Sequence, residues 1–286
     1  MDSKAPREPL ARREGLQTLE PGQSWGFDLA LLTDLGNERS NNEDCYGFFT
    51  EGDASVVFAV ADGVGGYEGG ELASEMAIDV ALAAYRNSPR EWSADKRLSR
   101  AVQSANIEIR DRAMIVTELS RMATTLTAVS VDGGALTAAH VGDCRLYLIH
   151  DGQLLQLTKD HTVAAGRTRL GLLSKEKLRT HPERGTLTRS VGSELIVAVD
   201  RITRPLAKGD VLVVASDGLY ATLDDAELVA LATNGSSAVA CRALVDRANE
   251  KGTMDNLTAA VFRQTSEPVV RPKSGFRDLL KGWVGR

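Results

Sequence analysis

Apolar residues recur along this chain with two periods, and the switch between them outlines its elements. From residue 26 the period is two: Phe27, Leu29 and Leu31 alternate, and the short runs CYGFF (45–49) and VVFAV (56–60) follow. Runs of this length and composition predict strands. The period then lengthens. Leu72, Met76 and Val80 recur at helical spacing in ELASEMAIDVALAAY, and Leu98, Val102, Ala105 and Ile109 do so beyond Pro89. Short strands return in TTLTAVSV, ALTAAHV, RLYLI and QLLQL, and later in LIVAV, DVLVVAS and LTAAVF. Among the late strands, one helix is predicted from Asp224 or Asp225 in DDAELVALA. Another is predicted from the N-cap candidates Ser236 or Ser237 to near Gly252.

About ten strands, many joined by two-residue turns, imply antiparallel sheets, not the crossovers of a doubly wound fold. Helices arrive in pairs and are expected to cover sheet faces. The pattern therefore predicts an α+β domain of two packed antiparallel sheets flanked by helices. Residues 1–22 carry Pro, Arg and Glu without periodicity and are expected to be a disordered arm.

Four Asp-Gly pairs punctuate this pattern, and they divide into two kinds. Asp132-Gly133 and Asp151-Gly152 have strand on both sides, as a hairpin turn requires. Asp62-Gly63 and Asp217-Gly218 instead end apolar strands (VVFAVADG, VLVVASDG) and run on toward helices, with no returning strand at hairpin distance. A carboxylate at the end of a buried strand, beside a Gly with an accessible carbonyl, is a good oxygen donor for a hard cation. Further acids stand at similar junctions: RSNNED (39–44), VGD (141–143) and Asp255 in MDN. The four histidines are scattered, so no His-rich zinc site is predicted. Mg2+ or Mn2+ is the natural occupant.

Composition narrows the alternatives. The chain has 286 residues, 43% hydrophobic and 26% charged, with a net charge of −5 that argues against a general nucleic-acid binder. No apolar run approaches the ~20 residues of a membrane span, and the N-terminus lacks the apolar segment of a secretory signal. Three widely spaced cysteines fit a reducing compartment, and a cytoplasmic location is expected.

Taken together, TDLGNERSNNED, AVADGVGG, TTLTAV, AHVGDCRLYLI, LTKDHT, LTRSVG, ASDGLY and DNLTAAV resemble the metal-dependent protein phosphatase family of the 2C type, in its bacterial form. The resemblance runs from about residue 27 to residue 263. It implies a four-layer αββα sandwich over residues 23–265 and hydrolysis of phosphoserine and phosphothreonine, opposing a Ser/Thr kinase. It also implies two Mn2+ or Mg2+ ions in the core site, with a third held more weakly. Asp62 would bridge the two ions, and Gly63 would offer its carbonyl. Asp217 and Asp255 would complete the set, with Glu43 and Asp44 acting directly or through water. Asp143 would join Asp217 at the third ion. Arg39 would grip the phosphate, as the guanidinium fork suits its oxygens. Water activated by the ions would attack phosphorus directly, so no covalent intermediate is implied. Some eukaryotic relatives carry a proton-donating His where this chain has Val64, which leaves the general acid unassigned.

Residues 159–189 correspond to the family's flap and carry eight Lys or Arg against three acids. Arg167 and Arg169 are expected to steer anionic phosphoproteins toward the site. His161 is expected to be structural. Residues 266–286 form a basic tail. In it, Phe276, Leu279, Leu280, Trp283 and Val284 follow an amphipathic helical pattern suited to packing on the domain or to a membrane surface. The chain is expected to be a monomer. Two rivals remain at this level: a binding module of the same fold without catalysis, and a small-molecule phosphohydrolase.

Overall fold

The computed structural model describes residues 11–12, 14–19, 26–52, 55–64 and 68–267. The first strands are β1 (Gly15–Leu19), β2 (Phe27–Asp34), β3 (Asp44–Thr50) and β4 (Ser55–Val64). Two long helices follow, α1 (Glu68–Asn87) and α2 (Ala94–Ile115). Next come β5 (Ala123–Thr124), β6 (Leu126–Asp132), β7 (Ala135–Val141), β8 (Arg145–His150) and β9 (Gln153–Gln156). The flap holds two short helices, α3 (Val163–Arg169) and α4 (Lys175–Leu178). The chain then forms β10 (Asp200–Pro205), β11 (Val211–Ala215), α5 (Asp217–Tyr220), α6 (Asp225–Ala232), α7 (Ser237–Glu250) and β12 (Leu257–Gln264).

These strands make two antiparallel sheets. One runs β1-β2-β12-β11-β8-β9, and the other β10-β7-β6-β4-β3 with β5 paired to the end of β4. Side-chain alternation explains the layering. On β4, Val56, Phe58 and Val60 face the apolar space between the sheets, where they meet Leu29, Leu31 and Phe262. Val57, Ala59 and Ala61 face the opposite way, under α1 and α2, among Ile78, Leu82, Val102 and Ile109. On the other sheet, Leu32, Val213 and Val261 lie with Leu228, Leu244 and Val245 of α6 and α7. The result is the αββα sandwich, with three apolar layers between four structural ones.

Two local expectations need correction. The stretch 15–19, assigned to a disordered arm, is strand β1, paired with β2 from Gly15↔Thr33 to Leu19↔Leu29. Its half-exposed position at a sheet edge explains why no strong apolar alternation announces it. LIVAV (195–199) is not a strand; Leu195 and Ile196 are exposed. The Asn106 and Gln103 side chains on α2 donate to the carbonyls of Glu194 and Val197, holding this segment in a bend so that the strand starts only at Asp200. The amphipathic pattern expected at 276–284 lies beyond Glu267, outside the described residues.

The Asp-Gly pairs separate as their contexts predict. Gly133 and Gly152 have φ of 57° and 75°, and Asp151 also lies in the left-handed region at 48°, so these turns need glycine for its dihedral freedom. Gly63 and Gly218 have no such φ and are small because another backbone lies against them. A Cβ at Gly63 would overlap the Gly70 carbonyl of α1, and one at Gly218 would overlap the Asn256 carbonyl. Gly218→Ala is therefore expected to lower stability by about 1–3 kcal/mol through overpacking, and to reduce activity as well. Gly152→Ala, with open space around it, is expected to cost only the ~1–2 kcal/mol of its dihedral and to leave activity intact. Thermal melts and turnover measured on both variants check this.

Candidate active site

All the predicted acids lie at one end of the sandwich, because antiparallel pairing brings strand ends and strand starts together there. β4 and β11 run toward this end and deliver Asp62 and Asp217; β3 and β12 leave it just after Glu43 and Asp255. Asp143 sits in the short link between β7 and β8. A cavity of about 230 Å3 opens among them, lined by Arg39, Glu43, Asp62, Gly63, Asp143 and Asp217, with Asp255, Asn256, Val64 and Leu187 beside them. Seven of the eight residues expected to hold metal or phosphate thus meet at one surface.

Asp44 is the eighth, and it stands behind the cavity. It is buried in register with Asp62 across β3 and β4, and one carboxylate oxygen accepts hydrogen bonds of 2.7 Å from both Ser216 and Thr258. Its influence on the cavity is through its charge and through this hydroxyl cage.

Backbone positions around the acids are pinned by side chains. The Thr125 hydroxyl accepts from the Asp62 amide at 2.9 Å, while the Thr125 amide and Thr124 hydroxyl donate to the Asp62 carbonyl. Asn256 accepts from the Glu43 amide at 2.9 Å and donates to the carbonyls of Leu35 and Asn41, tying the 35–43 loop to the start of β12. His161, as expected, is structural. Its Nε2 lies 3.0 Å from Arg189 Nη1 and 3.3 Å from Asp200, and its Nδ1 accepts from the Gly142 amide at 3.0 Å. That contact fixes the turn before Asp143. Asn256, Thr125, Ser216 and Thr258 were not singled out from sequence. For Asn256, Ser216 and Thr258 the signal is nearness to Asp217 or Asp255 in ASDG and DNLT, whereas Thr125, in TTLTAV, has no acid beside it in sequence.

The flap arginines expected to steer substrate stand apart from the cavity. Arg167 pairs with Glu183, and Arg169 donates to the Asp160 carbonyl at 3.0 Å. Neither lines the acid cavity; both brace the flap on itself and on the domain. The flap residues that reach the cavity are Gly185 and Leu187.

Crowding of acids dominates the electrostatics. Loss of hydration, followed by the charges of Asp44 and Asp217, pushes Asp62 well above the usual carboxylate range. Desolvation and Asp217 do the same to Asp143. Asp44 is pushed up to about 7, mainly by burial, and Asp217 to about 6 by burial and Asp255. Among the described residues, Arg39 is the one cation lining the cavity, 2.7 Å from an Asp255 oxygen. Arg184 also acts on Asp217. Among the described residues, no three acids are grouped tightly enough to share one ion as they lie. Arg39 and the Asn256 amide occupy Asp255, and the hydroxyl cage occupies Asp44. The donor chemistry nonetheless fits a hard divalent cation: carboxylates and a glycine carbonyl, with neither sulfur nor imidazole, around a surplus of negative charge.

This fold, with acids on strand ends around one cavity beside an arginine, places the chain in a known class, and residues 37–264 match the protein phosphatase 2C family. The chain belongs to that family. It is 31% identical over 250 residues to the protein phosphatase PhpP of Streptococcus pneumoniae, covering 84% of this chain and 99% of that one. The crystal structure of the Mycobacterium tuberculosis serine/threonine phosphatase PstP/Ppp superposes with a TM-score of 0.76 at 31% identity, covering 84% of this chain and 99% of that one. A structure of the PstP catalytic domain in complex with 2 manganese ions has a TM-score of 0.74 at 29% identity, with the same coverage.

The raised carboxylates make metal-free stability pH-dependent. An acid whose folded pKa lies above its unfolded value binds more protons in the folded state, so stability falls as pH rises through that interval. Buried His140, lowered to about 4, and His161, also lowered, work in the opposite sense, but only below about pH 6.5. In EDTA the melting temperature is therefore expected to fall between pH 6.5 and 8. Asp62→Asn should flatten that slope and melt about 2–4 °C higher at pH 8. Added Mn2+ should stabilise the wild type far more than this variant, as read by calorimetry.

Proposed function

We propose that the protein is a Mn2+- or Mg2+-dependent phosphatase that removes phosphate from phosphoserine and phosphothreonine in proteins. The observation that carries this reading is the convergence of Glu43, Asp62, Asp143, Asp217 and Asp255 on one cavity with Arg39 among them. Asp62, with the Gly63 carbonyl, Asp217, Asp255 and Glu43, would hold two ions, and Asp143 with Asp217 a third. Asp44 would act on the ions from behind, through its charge. Bound divalent ions supply Lewis acidity, lowering the pKa of water and neutralising charge that builds on phosphorus.

The chain's own groups do the rest. Arg39 presents a planar set of donors to the phosphate oxygens, and its half-exposed position lets it turn from Asp255 to substrate. Val64 and Leu187 give the cavity an apolar flank, suited to the methyl and methylene groups beside a phosphoester oxygen. Val64 has no proton to give, so the leaving alkoxide takes its proton from water. A thiolate route is disfavoured: Cys45, Cys144 and Cys241 are all buried, and burial pushes Cys241 up to about 12 and Cys144 well above its ordinary value. The reading places the enzyme in the cytoplasm, acting on phosphoproteins made by a Ser/Thr kinase. Among the described residues, no helix is long and apolar enough to cross a membrane.

Hydrolysis of p-nitrophenyl phosphate and of a phosphothreonine peptide is expected with Mn2+ and is expected to stop in EDTA. Asp62→Asn should lower kcat/KM by about 10³-fold or more, and Arg39→Ala by about 10²-fold. Activity that survives chelation refutes the metal role. Binding of phosphopeptide without turnover would favour the non-catalytic module, and turnover of the aryl phosphate alone would favour a small-molecule substrate.

A further inference from the structure

Beside the acid cavity lies a second, smaller one of about 40 Å3, walled by the flap on one side and by α5 on the other. Its polar lining is Arg145, Asp160, Arg179, Arg184 and Asp217, with Tyr220 beneath. Asp217 and Gly185 line both cavities, so the two share a wall. A group bound in the second is therefore a near neighbour of a phosphate bound in the first.

The three arginines are not equivalent. Arg145 is committed: its guanidinium makes bonds of 3.1, 3.1 and 2.7 Å to Asp160 and stacks 3.8 Å over the Tyr220 ring. Arg179 is anchored through Nη2 to the carbonyls of Leu223 at 2.8 Å and Tyr220 at 3.3 Å, which fixes the flap to the domain. Arg184 is exposed, and its guanidinium has no ion-pair or hydrogen-bond partner among the described residues. It lines the same cavity as Asp217. With Asp160 neutralised by Arg145, the second cavity has a surplus of positive charge and an unused set of donors.

Resting on the phosphoprotein reading, we infer that Arg184, set by the anchored Arg179, forms a subsite for a carboxylate. The occupant is the side chain of an Asp or Glu that flanks the phosphorylated residue of the substrate. The space suits a carboxylate, and a guanidinium bonds it with two parallel donors. Arg184 is thus a specificity residue and not part of the hydrolytic machinery. Among the described residues, Arg184 is the flap arginine whose guanidinium has no ion-pair or hydrogen-bond partner, whereas Arg167, Arg169, Arg179 and Arg189 are engaged.

The test uses the full chain with Mn2+ and a phosphothreonine peptide set in which Glu or Gln is placed in turn at each position flanking the phosphoresidue. Wild type is expected to favour Glu at one position by about tenfold in kcat/KM, mainly through KM. Arg184→Ala should bring that ratio to about one, Arg184→Lys should keep part of it, and Arg184→Glu should favour Lys at the same position. An equal loss on all peptides would overturn the inference, since Arg184 would then act on Asp217 or on the reacting phosphate. A Glu preference that persists in Arg184→Ala, or no preference in wild type, would overturn it too. Hydrolysis of p-nitrophenyl phosphate without turnover of any peptide would instead defeat the phosphoprotein reading, and this inference with it.

Discussion

Mutual repulsion among buried carboxylates is the constraint on which this molecule turns. Asp44, Asp62, Asp143 and Asp217 are all desolvated, and the charges of Asp44, Asp143 and Asp217 each raise the proton affinity of Asp62. A flexible loop would let such groups drift into water. Here they stand at the ends of core strands that cannot move without opening the apolar layer between the sheets. The fold's stability, held in that layer, is what keeps the acids together at the cavity, and the resulting excess of negative charge suits the site to hard cations.

Rigidity at the centre contrasts with the flap. The central strands are buried on both faces, whereas the flap is two short helices held by a few polar contacts: Arg179 to backbone carbonyls, Arg169 to Asp160 and Arg167 to Glu183. His161 links the two regimes, with its backbone paired to Gly142 and Thr188 and its ring fixing the turn before Asp143. A fixed acid centre with a lightly anchored neighbouring segment suits common chemistry combined with variable substrate choice.

Much of this was legible along the chain. The two-residue period of Phe27, Leu29 and Leu31, the helical spacing of Leu98, Val102 and Ile109, and the N-caps Asp224 and Ser236 gave their elements within a residue or two, because burial and capping are local demands. The error at 195–199 has the opposite cause. Its apolar run is real, but side chains of α2, about ninety positions earlier in the chain, hold its carbonyls in a bend. β1 escaped notice because an edge strand needs only one good neighbour.

By itself, the sequence determined the two sheets, the helix pairs and the identity of the acids. Each depends on residue type and on near neighbours: strand periodicity, turn chemistry, and Asp-Gly pairs with no returning strand. Only the tertiary structure decided which charges share a cavity. It put Asp44 behind the site, made braces of Arg167 and Arg169, and, among the described residues, left the Arg184 guanidinium without a partner in the cavity that Asp217 also lines. A side chain's charge is written in its residue type, but where that charge acts depends on which distant backbone lies against it.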